Sequence, residues 1–451
     1  MASTPSSPID AAAAAFRAGN LDEAVRFLAG ASRSSPAHAY LSGLIELQLG
    51  RVDDAIVSLH KAARHRPGIA AVHIALASSL RESGDAAGAS AACARAIALA
   101  PGQALAQMER GLILRALGKP KDAQPAFNLA LACDPTLSAA REALAETLLL
   151  AGDFMSGAAC FFAYQQADRD WMAKLGVPPM PAQVDNGAAV VLAADSGYGD
   201  TIQFLRYARM LAARGCRVAV ECQPGLVDLA RTASGVSAVL ISGSARPPHD
   251  VVLPMHALLH VCGRSEAVAQ PYLTVPPGRT ARASSAIAAR PPSTHAVGLV
   301  WAGDSRGRDD RQRSPGLAAV APLLGLPGIH VFGLQVGAGR KDLMGWSTPH
   351  GFTDLGPDLA DFGDTAAIMA ALDLIVTSDT AAAHLAGALG RPTWLMLPFV
   401  PSWRWGMDGA GTPWYPSMRL FRQASPGDWA GVMTEMRVAL MAWASPDIAM
   451  R

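Results

Sequence analysis

The sequence predicts a multidomain chain: an all-α repeat solenoid followed by an α/β region made of two parallel-sheet halves. Three observations predict it. A glycine recurs every 34 residues through the first third of the chain. Beyond residue 187 the apolar pattern changes to short buried strands that alternate with helices. That alternation begins twice, before and after a segment near residues 276–294. At 451 residues the chain exceeds one ordinary core, in keeping with several domains. The expected division is an array over 1–170, a linker over 171–186, and two α/β halves over 187–285 and 286–451.

The repeats come first. Gly50, Gly84, Gly118 and Gly152 stand 34 apart. Seven residues before each is a small residue: Gly43, Ala77, Gly111, Ala145. Nine residues after each stand Leu59, Cys93, Phe127 and Phe161. Pro67, Pro101 and Pro135 close the first three units. This describes a helical hairpin in which small residues allow close approach, glycine turns the chain and proline stops the second helix. The stretch around Gly19 adds a fifth turn, 31 residues before Gly50. The last unit departs from the pattern, with Gly157 where the first three units have Ala55, Ala89 and Ala123, five residues after the glycine, and Arg169 at the proline position. Period and residues together resemble the tetratricopeptide repeat over about residues 9–169, a likeness that implies a groove for a protein or peptide partner.

A Pro-rich connector, "KLGVPPMPAQVDNG", leads out of the array. "AAVVLAAD", "CRVAVEC", "VSAVLISG" and "DVVLPM" read as strands, with a helix over "TIQFLRYARMLAARG". "AVGLVWAG", "GIHVFGLQVG", "LDLIVTSD" and "RPTWLMLP" start a second series. Such alternation predicts two Rossmann-like halves with ligands beyond the carboxyl ends of the strands.

Four polar interruptions fall at such ends. In "DSGYGDTIQ", Gly197 and Gly199 suit a tight strand-to-helix turn, with Asp200 and Thr201 at the helix start. An aspartate there also serves as a helix cap. In "WAGDSRGRDDRQRS", Arg306, Arg308, Arg311 and Arg313 form a local cationic cluster, suited to phosphate or to pairing with Asp304, Asp309 and Asp310. In "TSDTAAAHLAGALGRPTW", Ser378, Asp379 and Thr380 are expected to cap a helix whose His384 lies one turn in, presenting N–H groups, hydroxyls and an imidazole to a diphosphate. An ordinary cap and a core histidine would read the same way. In "PFVPSWRWGMDGAGTPWYP", Trp403, Arg404, Trp405, Trp414 and Tyr415 suit a base or sugar face, or equally a packed seam.

Together the four stretches resemble a glycosyltransferase of the GT-B fold, similar to the heptosyltransferase family, glycosyltransferase family nine. With the repeats, the chain resembles bacterial tetratricopeptide-repeat glycosyltransferases that include flagellin-modifying enzymes. The resemblance implies sugar transfer from a nucleotide-sugar donor to a protein acceptor held by the repeats, without a metal or other cofactor. It implies Asp200 as the base and Arg313 as the neutraliser of the leaving phosphate. Ser378, Asp379, Thr380 and His384 would hold the donor, joined by Arg308, Gln335 and Arg404, with Gly197, Gly199 and Thr201 at the acceptor-side turn. Ala381 departs from the motif, where a glycine often follows Asp-Thr. A lipopolysaccharide or surface-glycan acceptor, or a non-catalytic scaffold, would be the other outcomes.

Composition narrows the classes. A net charge of +1 argues against a bulk nucleic-acid or membrane-surface partner. Six cysteines without a C-x-x-C pair fit buried free thiols better than disulfides or zinc. The N-terminal "MASTPSSPID" lacks a signal-peptide pattern and no apolar run is long enough to span a bilayer, so a cytoplasmic location is expected.

Overall fold

The computed structural model describes residues 7–33, 35–263, 270–304 and 310–445. It divides into two compact units, Met1–Leu148 and Leu149–Arg451.

The first unit is a run of helical hairpins: α1 (Pro8–Arg17) with α2 (Leu21–Ala29), α3 (Pro36–Gln48) with α4 (Val52–His65), α5 (Ala70–Ser83) with α6 (Ala86–Leu99), and α7 (Ala104–Ala116) with α8 (Pro120–Cys133). Helix α9 (Ser138–Leu150) crosses the division and α10 (Phe154–Ala167) lies wholly in the second unit. The periodic glycines have a backbone reason. Gly19, Gly50, Gly84, Gly118 and Gly152 all have φ between +73° and +88°, where a Cβ is strained. The small and large positions of each unit are one contact. A Cβ on Gly43 would stand 2.4 Å from Leu59 Cγ, and one on Gly111 would stand 2.7 Å from the Phe127 ring. Successive first helices are also tied by ion pairs, Arg81 to Glu109 at 2.7 Å and Arg115 to Glu146 at 2.9 Å. This is a tetratricopeptide-like array.

After α10 and a short α11 (Arg169–Lys174), the second unit is α/β. Its first half holds β1 (Ala189–Ala193), α12 (Tyr198–Phe204), α13 (Tyr207–Ala213), β2 (Arg217–Cys222), α14 (Val227–Ala230), β3 (Val236–Ile241), β4 (Val251–Pro254) and α15 (Leu258–Val261). Then follow α16 (Thr280–Ala288), β5 (His295–Val300), α17 (Asp310–Arg313), α18 (Leu317–Val320), β6 (Ile329–Gly333), β7 (Phe352–Asp354), α19 (Phe362–Ala371) and β8 (Leu374–Ser378). The chain continues through α20 (Ala381–Ala388), β9 (Thr393–Leu397), β10 (Met418–Arg422) and α21 (Trp429–Ala444).

The strands form two parallel sheets, in the orders β3-β2-β1-β4 and β10-β9-β8-β5-β6-β7. Strands β1, β2, β4, β5, β6, β8 and β9 are almost wholly buried, as their unbroken apolar runs predict. Sequence reading missed two strands. β7 has only three residues, and β10 follows a Pro- and Gly-rich stretch that reads as loop. The one helix expected over "TIQFLRYARMLAARG" is two, α12 and α13, broken at Leu205 and Arg206.

Each sheet reverses its direction of growth once. In the first sheet the reversal lies between β1 and β4, and in the second between β5 and β8. A crevice outside the carboxyl ends of the strands opens at such a point. Asp195 and His256 follow β1 and β4; Trp301 and Asp379 follow β5 and β8. The fold thus brings three of the four sequence motifs to its two switch points, while the fourth follows β9.

The cysteines are free, but only Cys93, Cys216 and Cys222 are buried; Cys133 is exposed, which corrects the expectation of buried thiols throughout. Among the described residues no helix is long and apolar enough to cross a membrane.

Candidate functional site

Asp200 lies in the first turn of α12, whose N-cap is Gly197, so the aspartate is not the cap. Its carboxylate is held from three sides. Ser196 Oγ donates to Oδ2, Arg404 Nη2 donates to Oδ1, and His256 Nε2 stands 3.8 Å from Oδ1. Burial alone would raise its pKa. Arg404, His256, the Ser196 hydrogen bond and His384 overcome that and hold it well below the usual carboxylate range.

Arg404, expected among the donor-binding groups, therefore faces the Asp200 carboxylate. It also donates to Gln203 Oε1 and, at 3.1 Å, to Ser402 Oγ, and lies 4.4 Å over the Trp403 ring.

His256 and Asp195 are partners that sequence reading missed. Asp195 stood in the quoted "DSGYGD", but its partner is 61 residues away and nothing local signals the pair. His256 Nδ1 lies 3.0 and 3.1 Å from the two Asp195 oxygens, and Asp195 Oδ2 also accepts from the His256 N–H at 3.3 Å and Gln165 Nε2 at 3.0 Å. Phe161 stacks on the imidazole at 5.2 Å and Phe204 meets it edge-on at 4.7 Å. Burial disfavours the imidazolium, yet Asp195 and then Asp200 raise its pKa above the ordinary 6.5.

The second motif packs directly against the first. A Cβ on Gly199 would lie 2.9 Å from His384 Cδ2 and 3.4 Å from Ala381 Cα. That is the role of this glycine: neither Gly197 nor Gly199 has a positive φ, so the turn itself does not demand them. It also bears on Ala381, whose backbone lies at this close approach. Thr201 is buried and bonds Gly197 O and Gln223 Oε1 at 3.2 and 3.0 Å, a structural use of its hydroxyl.

At the mouth of α20 the expected capping is absent. Thr380 is the N-cap, but its side chain makes no capping hydrogen bond; it lies 3.4 Å from Thr377 Oγ1. Ser378 Oγ is buried without a hydrogen bond. Arg313 Nη1 donates to Asp379 O at 3.2 Å, while its buried Nε, 3.6 Å from Asp310 Oδ1, makes no hydrogen bond. Burial pushes the Asp379 carboxyl up, against the pull of the Trp405 indole, Arg404 and Arg313. His384 faces inward, Nδ1 2.9 Å from Tyr415 Oη and its ring stacked 5.3 Å from Trp405. Burial, and then Arg404, lower its pKa to about 3, so it is neutral near pH 7.

Gln335 departs from its expected use, and the aromatic loop takes one of its two readings. Gln335 spends its amide on backbone, accepting from Trp301 and Ala302 N–H at 3.0 and 2.9 Å and donating to Ala302 and Val336 carbonyls at 3.0 and 2.9 Å. It ties the loops after β5 and β6 and has no group left for a donor. The aromatic loop is a packed seam: Trp403, Trp405, Trp414 and Tyr415 are buried, and Phe154 of α10 packs 5.6 Å from Trp414. Beneath them Arg206 is fully buried, bonded to the Gln203 and Trp414 carbonyls and to Tyr272 Oη, with its guanidinium 4.4 Å over the Tyr415 ring. Arg308 and Arg306 lie outside the described residues, as does the side chain of Arg311.

No family model matches the chain. Over 154 residues, 33% of its length, it is 32% identical to Protein FlbA of Caulobacter vibrioides; the match spans about a quarter (25%) of that relative. Among solved structures the chain is similar to a thermophilic tetratricopeptide-repeat protein of Thermus thermophilus, at 22% identity and a TM-score of 0.34 over 38% of this chain and 94% of that one. It is also similar to MamA, at 22% identity and a TM-score of 0.30 over 36% of this chain and 96% of that one.

Proposed function

We propose that the chain is a glycosyltransferase that moves a sugar from a nucleotide-sugar donor to a protein acceptor recruited by the repeats. One observation carries this reading: the polar groups at the two switch points meet through Gly199, which sets Asp200 beside the mouth of α20. A carboxylate for a hydroxyl thus faces an anion seat.

The donor's phosphate would sit at the N-terminus of α20, where no side chain caps the first turn. Ser378 Oγ and Arg313 Nε, both buried and without hydrogen bonds, would find partners in its oxygens. Arg313 and Arg404 supply positive charge where the leaving group becomes more negative, the service a divalent ion performs elsewhere. Asp200 would engage the acceptor hydroxyl. Arg404, bonded to Asp200 and next to the seat in the electrostatics of Asp379 and His384, links the two tasks. The hairpin array supports a protein acceptor, because a small glycan needs no such scaffold.

Nucleotide release from a panel of nucleotide sugars tests the reading. The full chain should release nucleotide from one donor class, and the nucleotide should raise its melting temperature. Asp200→Asn should keep that stabilisation and lose turnover by about 10²-fold or more. Full turnover by Asp200→Asn, or no stabilisation by any nucleotide, would contradict it.

A further inference from the structure

We propose that His256, fixed by Asp195, is the group that takes the proton from the acceptor hydroxyl, and that Asp200 stabilises the imidazolium so formed. The inference rests on the transferase reading, and it gives roles to two residues to which the family resemblance assigns none.

The geometry is that of a base with an orienting partner. Asp195 is almost wholly buried and accepts from the His256 main chain, from Gln165 and from Nδ1, so the imidazole is fixed as the Nδ1–H tautomer. Phe161 and Phe204 close on the ring and set its plane. Nε2 is left pointing at Asp200 Oδ1, 3.8 Å away. That gap is too long for a hydrogen bond between them. It suits an oxygen at about 2.8 Å from each, which is where an acceptor hydroxyl would touch both.

Asp200 is a poor resting place for a proton. Both its oxygens already accept hydrogen bonds, from Arg404 and Ser196, and each favours the ionised form. The charged groups that face His256 are Asp195 after β1, Asp200 on α12 and Arg404 after β9. Helix α10, which stacks Phe161 on the ring, carries no charged residue; its titratable side chains are Cys160 and Tyr164. Two carboxylates against one guanidinium favour the imidazolium, the state in which the transferred proton is held. His384, with a pKa lowered to about 3 and Nδ1 on Tyr415, is unsuited to that part.

The step balances. A lone pair of the acceptor oxygen forms the new bond to the anomeric carbon. The bond from that carbon to the phosphate oxygen breaks, and its electron pair leaves with the nucleotide. The hydroxyl proton passes to Nε2 of neutral His256, which later releases it to solvent.

The test is the pH profile of kcat for the full chain, together with NMR titration of the His256 imidazole. Wild type should show an ascending limb with a midpoint above 6.5, because His256 must be neutral to act. His256→Gln should lose about 10²-fold or more in kcat and lose that limb, with KM for the donor within threefold and its nucleotide-induced thermal shift intact. Asp195→Asn and Asp200→Asn should each move the imidazole titration to lower pH. Unchanged kcat and limb in His256→Gln would overturn the proposal while leaving transfer established. If no donor turns over, the NMR arm decides alone: an imidazole titration unmoved by Asp200→Asn overturns the pairing.

Discussion

At the scale of single residues, two buried histidines of one site are driven in opposite directions. His384 is lowered to about 3 by burial and then by Arg404. Below about pH 6.5 the unfolded chain takes up a proton there that the folded chain refuses. Stability must therefore fall as pH drops from 6.5 toward 3, by up to about 1.4 kcal/mol per pH unit. His256 is raised, so its contribution is complete below 6.5 and is lost only as pH rises through its folded pKa. It adds no slope between pH 4 and 6. His384→Asn keeps a polar group for Tyr415 and removes the titration. Denaturant unfolding at several pH values should show the variant gaining on wild type by about 1 kcal/mol per unit between pH 6 and 4. A pH-independent offset would contradict a buried neutral imidazole. Asp200, Arg313, Ser378 and Asp379 were legible in the sequence because strand-end motifs carry them. Asp195 and His256 were not recognised as a pair, because they meet only where β1 and β4 lie side by side. The resemblance implies Gln335 as a donor ligand, and only the structure shows its four backbone partners.

At the scale of elements, close approach explains glycines that turn geometry does not. Gly199→Ala would gain up to about 1 kcal/mol in helix propensity. Its Cβ would also stand 2.9 Å from His384 Cδ2, on a ring already held by Tyr415 and Trp405. The ring has no easy retreat, so the clash should win, costing about 1–3 kcal/mol. Thermal unfolding and nucleotide binding should both weaken; unchanged values would mean α12 and α20 can part without consequence. Gly111→Leu makes the same case in the repeats, with the Phe127 ring 2.7 Å from the new Cβ, and should lower the melting temperature. The hairpins and the buried strands were readable because each has a period and a residue type that its backbone demands. Strands β7 and β10 were not, one for its length and the other for its place after a turn-rich loop.

At the scale of the molecule, the last repeat helix belongs with the α/β unit. Helix α10 supplies Gln165 to Asp195, Phe161 to His256 and Phe154 to the tryptophan seam. Its irregular repeat residues fit that use. A chain beginning at residue 149 should keep nucleotide binding, whereas one beginning at 171, the boundary that the sequence suggests, should lose it and aggregate more readily as the seam is uncovered. Equal behaviour of the two truncations would show α10 to be dispensable. Sugar transfer to a protein is tested by intact-mass spectrometry of a protein acceptor incubated with the full chain and a nucleotide sugar. The acceptor should gain the mass of one sugar residue per nucleotide released, a gain lost in Asp200→Asn. Nucleotide binding with no mass gain on any protein acceptor, and sugar appearing on a glycan or on water instead, would contradict it.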